Sequence, residues 1–299
     1  MPFDKLEAYR RMHLIREVEE GIMARYSDGE MRCPVHLSIG QEAPAAGVMM
    51  ALPDNAQVYA SHRSHHPYIA KGGDVDALIA ELYGLESGCT GGFGGSMYLR
   101  DERVGFVGSY AVVGDCISVA TGAALAQRLD AGDNPLPVVA WFGDSAMETG
   151  QFWESVNFAA LHKLPILYVC ENNGYATSTP LSQRQPNPVS FLHPRVRGFI
   201  PSYWANDRGS LGVEQVFKTA EVSLTDLPAF MEIKTYRYGA HVGMSDDSAL
   251  GYRTQEEVSD ARALDPLDAL QKELGAEATQ AIKSSNENIV SEAFRKAKE

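Results

Sequence analysis

Between Pro137 and Asn173 the chain alternates in a pattern that few folds accommodate. Pro137-Val-Val-Ala-Trp-Phe142 is a short continuous apolar run that Gly143-Asp144-Ser145 interrupts. A helical stretch with Phe152, Val156, Ala159 and Ala160 on one face follows, and Pro165-Ile-Leu-Tyr-Val-Cys170 closes the unit as a second apolar run. Strand, turn, helix and strand over about 35 residues make a βαβ unit. Strands without polar alternation belong to a parallel sheet covered on both faces. Ala229-Phe-Met-Glu-Ile233 reads as a further strand and Phe199 to Trp204 as another. The expected fold class is therefore α/β: a three-layer α/β/α, doubly wound, mostly parallel sheet. Its ligands should lie beyond the carboxyl ends of the strands.

The flanking segments fit one domain over 1-299, with an N-terminal helix and a helical tail from about 256. From Asp4 to Tyr26 the residues Leu6, Tyr9, Met12, Ile15 and Ile22 fall at helical spacing. Ser38 is placed to cap a second helix holding Glu42, Ala45, Ala46, Val48 and Met49. Ser118 to Gln127 is so rich in small residues that a buried helix is expected there. With 44% apolar side chains a substantial core is expected, and the charge runs of the tail read as solvated faces. The excess of 39 acidic over 26 basic residues argues against nucleic acid or an anionic membrane as the main partner. No apolar run approaches the roughly 20 residues of a membrane helix, and Met1-Pro2-Phe3-Asp4-Lys5 lacks the layout of a signal peptide. A soluble, cytoplasmic protein is expected. Cys33, Cys89, Cys116 and Cys170 form no CxxC pair and read as reduced thiols.

Asp144 follows one strand and Asn173 the next, twenty-nine positions later. The fold would bring both oxygen donors to one crevice, where a hard cation accepts them. Mg²⁺ takes about six oxygens and usually leaves several positions to phosphate and water. Taken singly, Asp144 reads as a helix cap and Asn172-Asn173-Gly174 as an ordinary turn.

Together, Gly143-Asp144-Ser145 and Glu171-Asn172-Asn173 resemble the thiamine diphosphate fingerprint, a Gly-Asp-Gly that ends about thirty residues later in Asn-Asn. Glu154, Asn157, Ala159-Ala160 and Leu164-Pro165 are similar to the alpha subunit of the first component of 2-oxo acid dehydrogenase complexes, of pyruvate, acetoin and branched-chain type. The resemblance runs from about residue 5 to 270. It takes in Ser38-Ile-Gly-Gln-Glu42, His62-Arg63-Ser64-His65 and the loop Gly88-Cys-Thr-Gly-Gly-Phe-Gly-Gly-Ser-Met97. Further along it takes in Tyr236-Arg-Tyr-Gly-Ala-His241 with Ser245-Asp246, then Tyr252-Arg253-Thr254 and Asp265-Pro266.

The resemblance implies thiamine diphosphate and Mg²⁺, with Asp144, Asn173 and the Tyr175 carbonyl as metal ligands. Arg63 would hold the diphosphate, as suits a guanidinium fork, with His62 and His241 beside it. Gly143, Asp144, Ser145 and Ala146 would form the turn against the phosphates, and the backbone of Ala111 and Val113 would meet the aminopyrimidine. His65 and His241 match histidines near the reacting carbon, where they would carry protons. The spacing of His62, His65 and His66 with His241 also allows a metal cluster, though no cysteine or carboxylate lies nearby in sequence. A dinucleotide reading of Gly92-Phe-Gly94 fails, because Met97 stands where the third glycine belongs.

The implied activity is decarboxylation of a 2-oxo acid, or cleavage of acetoin, with the acyl unit passed to a lipoyl group. Alternatives are carboligation onto an aldehyde or ketone and a non-catalytic scaffolding subunit. The carboxylate that activates the cofactor's aminopyrimidine comes, in the family, from a second domain type. A beta subunit in an α2β2 tetramer is therefore expected, and a lipoyl-bearing acyltransferase as a further partner. Three departures stand out. Ser145 replaces a glycine, Asp115-Cys116 replaces a small residue and glutamine, and Arg184 lies out of register with the arginine that often follows Ser178-Thr-Pro180.

Overall fold

The computed structural model describes residues 2–131, 134–186, 192–245 and 251–299. Its strands are β1 (Gln57–Ser61), β2 (Phe106–Tyr110), β3 (Val138–Gly143), β4 (Ile166–Asn172), β5 (Tyr175–Ala176), β6 (Thr179–Pro180), β7 (Ser202–Asn206) and β8 (Ala229–Lys234). The helices that bear on the site are α1 (Lys5–Arg25), α2 (Glu42–Ala51), α3 (His65–Ala70), α4 (Val75–Leu82), α5 (Asp115–Asp130) and α6 (Gly150–His162). They continue with α7 (Leu181–Arg184), α8 (His193–Val196), α9 (Gly212–Thr225), α10 (Gln255–Ala263), α11 (Pro266–Leu274) and α12 (Ala276–Lys296).

Six strands form one parallel sheet in the order β2-β1-β3-β4-β8-β7, while β5 and β6 make a small antiparallel pair. Alternate residues of each central strand serve opposite faces. Val139 and Trp141 of β3, with Leu167 and Val169 of β4, pack under α1, α2, α4, α9 and α12. Val138, Ala140 and Phe142, with Ile166, Tyr168 and Cys170, pack under α5 and α6. Each large apolar side chain buried in this way contributes roughly 2 kcal/mol. The result is the expected three-layer α/β/α arrangement. Helix α2 lies so close to α9 that a Cβ on Gly47 would stand 2.6 Å from Val216 and 2.9 Å from the Val213 carbonyl.

Several local expectations change. Ser38 is not a helix cap: α2 starts at Glu42 after Gln41, and the Ser38 hydroxyl and N–H instead donate to Glu19 of α1. Helix α5 is buried on one side only. Cys116, Ile117, Ala120, Thr121 and Ala124 face the sheet, whereas Ser118, Val119, Gly122 and Ala126 are exposed. The strand sought at Phe199 to Trp204 begins at Ser202 and runs to Asn206. Asp144 caps no α-helix: a 3-10 turn spans Asp144–Glu148, and Thr149 caps α6 by accepting from the Phe152 N–H at 3.4 Å. The four cysteines are unpaired. Among the described residues no helix is long and apolar enough to cross a membrane.

Candidate active site

Chain order reverses beside β1. From β1 the chain moves outward to β2, whereas β3 continues to β4 on the other side, so the loops after β1 and β3 part and leave a crevice. An open cleft lies there, lined by Gln41, Ser61, His62, Arg63, Val113, Gly143, Asp144, Ser145, Glu171, Asn173, Tyr175, Ala176, Thr177 and His241. Four strand ends thus deliver Arg63, Asp144, Asn173 and, through the long segment after β8, His241 to one place. Ala111, Ala146 and His65 are not among its lining residues.

One wall carries oxygen donors. Asp144 is 1% exposed, and burial raises its carboxyl above the ordinary range despite the nearby guanidinium of Arg184, which donates to its Oδ2. Register pairs Gly143 with Glu171 on the neighbouring strand, so Asp144 and Asn173 emerge from adjacent strand ends. The Asn turn is built by its own side chains. Asn172 Oδ1 accepts from the Gly174 N–H and Asn173 Oδ1 from the Tyr175 N–H, both at 3.1 Å, and Gly174 takes a φ of +83°. Asn172 Nδ2 also donates to buried Glu232 at 2.7 Å, which fixes the turn to β8. Asn173 Nδ2 donates to Gln41 at 3.3 Å.

The opposite wall is imidazole, with His62 and His241 lining the cleft and buried His36 packed against both. The rings of His36, His62 and His241 lie edge to face with centroids 4.8, 5.2 and 5.5 Å apart. Their nitrogens fall within 4.8 Å of one another. Burial, then the charge of Arg63, lowers His36 to about 2, His62 to about 4 and His241 to about 3. Arg63 Nη2 donates to the His241 carbonyl at 2.9 Å and lies 3.4 Å from His241 Nδ1. His36 Nδ1 and His62 Nδ1 are buried and have no hydrogen-bond partner. Three neutral rings against a fixed guanidinium disfavour a cation and suit an anion.

His65 and His66 do not join this cluster. His65 is fully buried, with Nδ1 3.2 Å from Glu19 and Nε2 2.8 Å from the Ser96 hydroxyl. His66 Nε2 lies 2.9 Å from both oxygens of Glu171, which also accepts from Trp141 Nε1. The cluster suggested by His-x-x-His-His is thus replaced by one that draws in His36, which no spacing in the sequence connects to His62 or His241.

The glycine-rich loop likewise serves the fold. Glu81 of α4 accepts from the N–H groups of Thr90, Gly92, Gly94 and Gly95 at 2.8 to 2.9 Å. These donors outweigh burial and hold the Glu81 carboxyl below its ordinary range. Amides that would cradle a phosphate in a dinucleotide fold enclose an internal carboxylate here. Among the sequence departures, Ser145 lines the cleft. Asp115 accepts from Gln151 at 3.3 Å, and Cys116 is buried with its thiol pushed up to about 12, so neither lines the cleft. Of Ser245-Asp246, Asp246 lies outside the described residues.

The fold and cleft define a cofactor-binding α/β domain, and comparison specifies its family. The model for the dehydrogenase E1 component matches residues 10–299, and the chain belongs to that family. It is similar to the pyruvate dehydrogenase E1 component subunit alpha of Zymomonas mobilis, 39% identical over 278 residues that cover 91% of this chain and 76% of the relative. The corresponding subunit of Rhizobium meliloti is 36% identical over 277 residues, covering 91% and 77%. The mitochondrial alpha-1 subunit of Oryza sativa is 34% identical over 307 residues, covering 100% and 77%. The chain is accordingly an alpha subunit of a thiamine diphosphate-dependent 2-oxo acid dehydrogenase.

Proposed function

We propose that this chain forms the diphosphate and metal half of a pyruvate-decarboxylating active site, completed by a beta subunit in an α2β2 assembly, with the acyl unit leaving on a lipoyl group. The observation that carries the reading is the convergence of Asp144, Asn173, Arg63 and His241 in one cleft at parallel strand ends. The donor set fits the cofactor. One buried carboxylate, an amide oxygen and the Tyr175 carbonyl suit Mg²⁺, with positions left for phosphate oxygens and water. Arg63 and the imidazole wall suit the diphosphate, since His36 and His62 each hold a buried nitrogen without a partner. When bound, thiamine diphosphate supplies the carbon nucleophile and the electron sink that decarboxylation needs.

Within that frame the residues have separable roles. Arg63 would neutralise phosphate charge with the Ser145 hydroxyl as a further donor, and the Val113 backbone would be available to the pyrimidine ring. His241, neutral at pH 7 beside Arg63, would take up a proton only where negative charge bound next to it raises its proton affinity. His65, hydrogen-bonded to Glu19 and Ser96, does not line the cleft of this chain. The pyruvate assignment draws on the relatives, each a pyruvate dehydrogenase component.

The test is decarboxylation of pyruvate by the chain alone, by a beta subunit alone and by their mixture. Activity should arise in the mixture only, and acetyl should appear on an added lipoyl domain. Comparable activity from the chain alone, or acyloin as the main product with lipoyl domain present, would overturn the reading.

A further inference from the structure

The wall that carries Asp144 already holds a cation. Helix α7 follows β6 and places Arg184 over the turn after β3. There Nη2 donates to Asp144 Oδ2, Nη1 to Glu148 Oε1, and Nε to the Thr179 carbonyl at 3.2 Å. The Arg184 side chain is 8% exposed and that of Asp144 2%, so the pair is sequestered from solvent screening. Glu148 is gripped a second time by Gln185 Nε2 at 2.7 Å, which fixes the helix that bears Arg184.

We infer that Arg184 is an exchangeable counter-ion that keeps bare divalent metal off Asp144 and yields the site only to metal arriving with a diphosphate. The inference rests on the reading of Asp144 as a metal ligand. A guanidinium and a dication on one buried carboxylate repel each other at short range, and little water is present to weaken the repulsion. A free metal ion must therefore displace Arg184 from Asp144 and leave it with only the Glu148 half of its present pairing. A diphosphate brings negative charge of its own, so that both cations can share the site without that penalty. Metal and diphosphate then bind as a coupled pair, each raising the affinity of the other by the same factor.

Mn²⁺ serves as the probe, titrated by electron paramagnetic resonance into the full chain reconstituted with its beta subunit, with and without thiamine diphosphate. For the unmodified chain the diphosphate should tighten Mn²⁺ binding by 100-fold or more. Arg184→Met should bind Mn²⁺ alone at least tenfold more tightly and lose most of that coupling, while Arg184→Lys keeps it. Glu148→Gln leaves Asp144 as the carboxylate that holds Arg184 and should weaken binding of bare Mn²⁺ while the tightening by diphosphate grows. This variant decides the matter if Arg184→Met does not fold. Unchanged or weaker binding of bare Mn²⁺ in folded Arg184→Met, or, where Glu148→Gln decides, unchanged or tighter binding, overturns the inference. Asp144→Asn separates the two readings: if it leaves Mn²⁺ uptake with diphosphate intact, the ligand assignment itself fails. If it abolishes uptake while Arg184→Met leaves the coupling unchanged, only the counter-ion inference fails.

Discussion

At the end of the cleft formed by β3 and β4, a buried carboxylate is kept ready by an opposing guanidinium, Arg184 against Asp144. At the other end His36, His62 and His241 are kept neutral by burial and by Arg63. Both ends are polar, yet one stores charge in a pair and the other removes it. The difference follows from the groups available. A carboxylate at this depth gains from a partner of opposite sign, whereas an imidazole can release its proton and remain a hydrogen-bonding ring. A negatively charged ligand bound through a metal ion needs both solutions side by side.

The largest effect that tests this contrast is at the carboxylate end. Replacing outer partners of a metal site costs about 10 to 100-fold in affinity, so Asp144→Ala should weaken thiamine diphosphate binding by more than about 100-fold in calorimetry of the αβ mixture. An equal Kd would remove the carboxylate from the account. Next is Arg63→Ala, which should weaken the same binding by about 10 to 100-fold, since hydrogen bonds to charged groups contribute about 1.5 to 3 kcal/mol. An unchanged Kd would show that the imidazole end does not meet the phosphates.

A smaller effect is expected away from the cleft. Glu81→Gln weakens a carboxylate that four N–H groups share and should destabilise the chain by about 1 to 3 kcal/mol in denaturant titration. Cofactor affinity should change little in the folded fraction, and a large affinity loss with normal stability would place the glycine-rich loop at the cofactor.

The mildest effect concerns pH. The three clustered histidines sit below the ordinary value of about 6.5, so between about 6.5 and about 2 the unfolded chain binds more protons than the folded one. Their contribution is full above about pH 6.5 and is lost as pH falls through that window. His36→Asn should flatten the slope of unfolding free energy against pH between 6.5 and 5. An unchanged slope would mean that His36 is not held neutral.

The sequence disclosed the carboxylate end far better than the imidazole end. Asp144 and Asn173 follow two apolar runs one crossover apart, so local pattern and topology alone bring them together. His36 lies 26 positions before His62 and far from His241, and only the meeting of three loops makes them neighbours. Arg184 was equally hidden, because its value depends on how α7 folds back over the turn after β3. Helix α5 misled for another reason. Small residues occur on both of its sides, so composition could not tell the face against the sheet from the exposed one. The glycine-rich loop disclosed no role of its own, because nothing in its spacing reveals that Glu81, one helix earlier, fills it.

The most direct check is anomalous diffraction from crystals of the αβ complex grown with thiamine diphosphate and Mn²⁺. A single strong peak within about 2.4 Å of an Asp144 carboxylate oxygen and the Asn173 side-chain oxygen, with the diphosphate against Arg63, is the predicted result. Ordered cofactor with the metal peak on the His36, His62 and His241 nitrogens, or with no peak near Asp144, would contradict it.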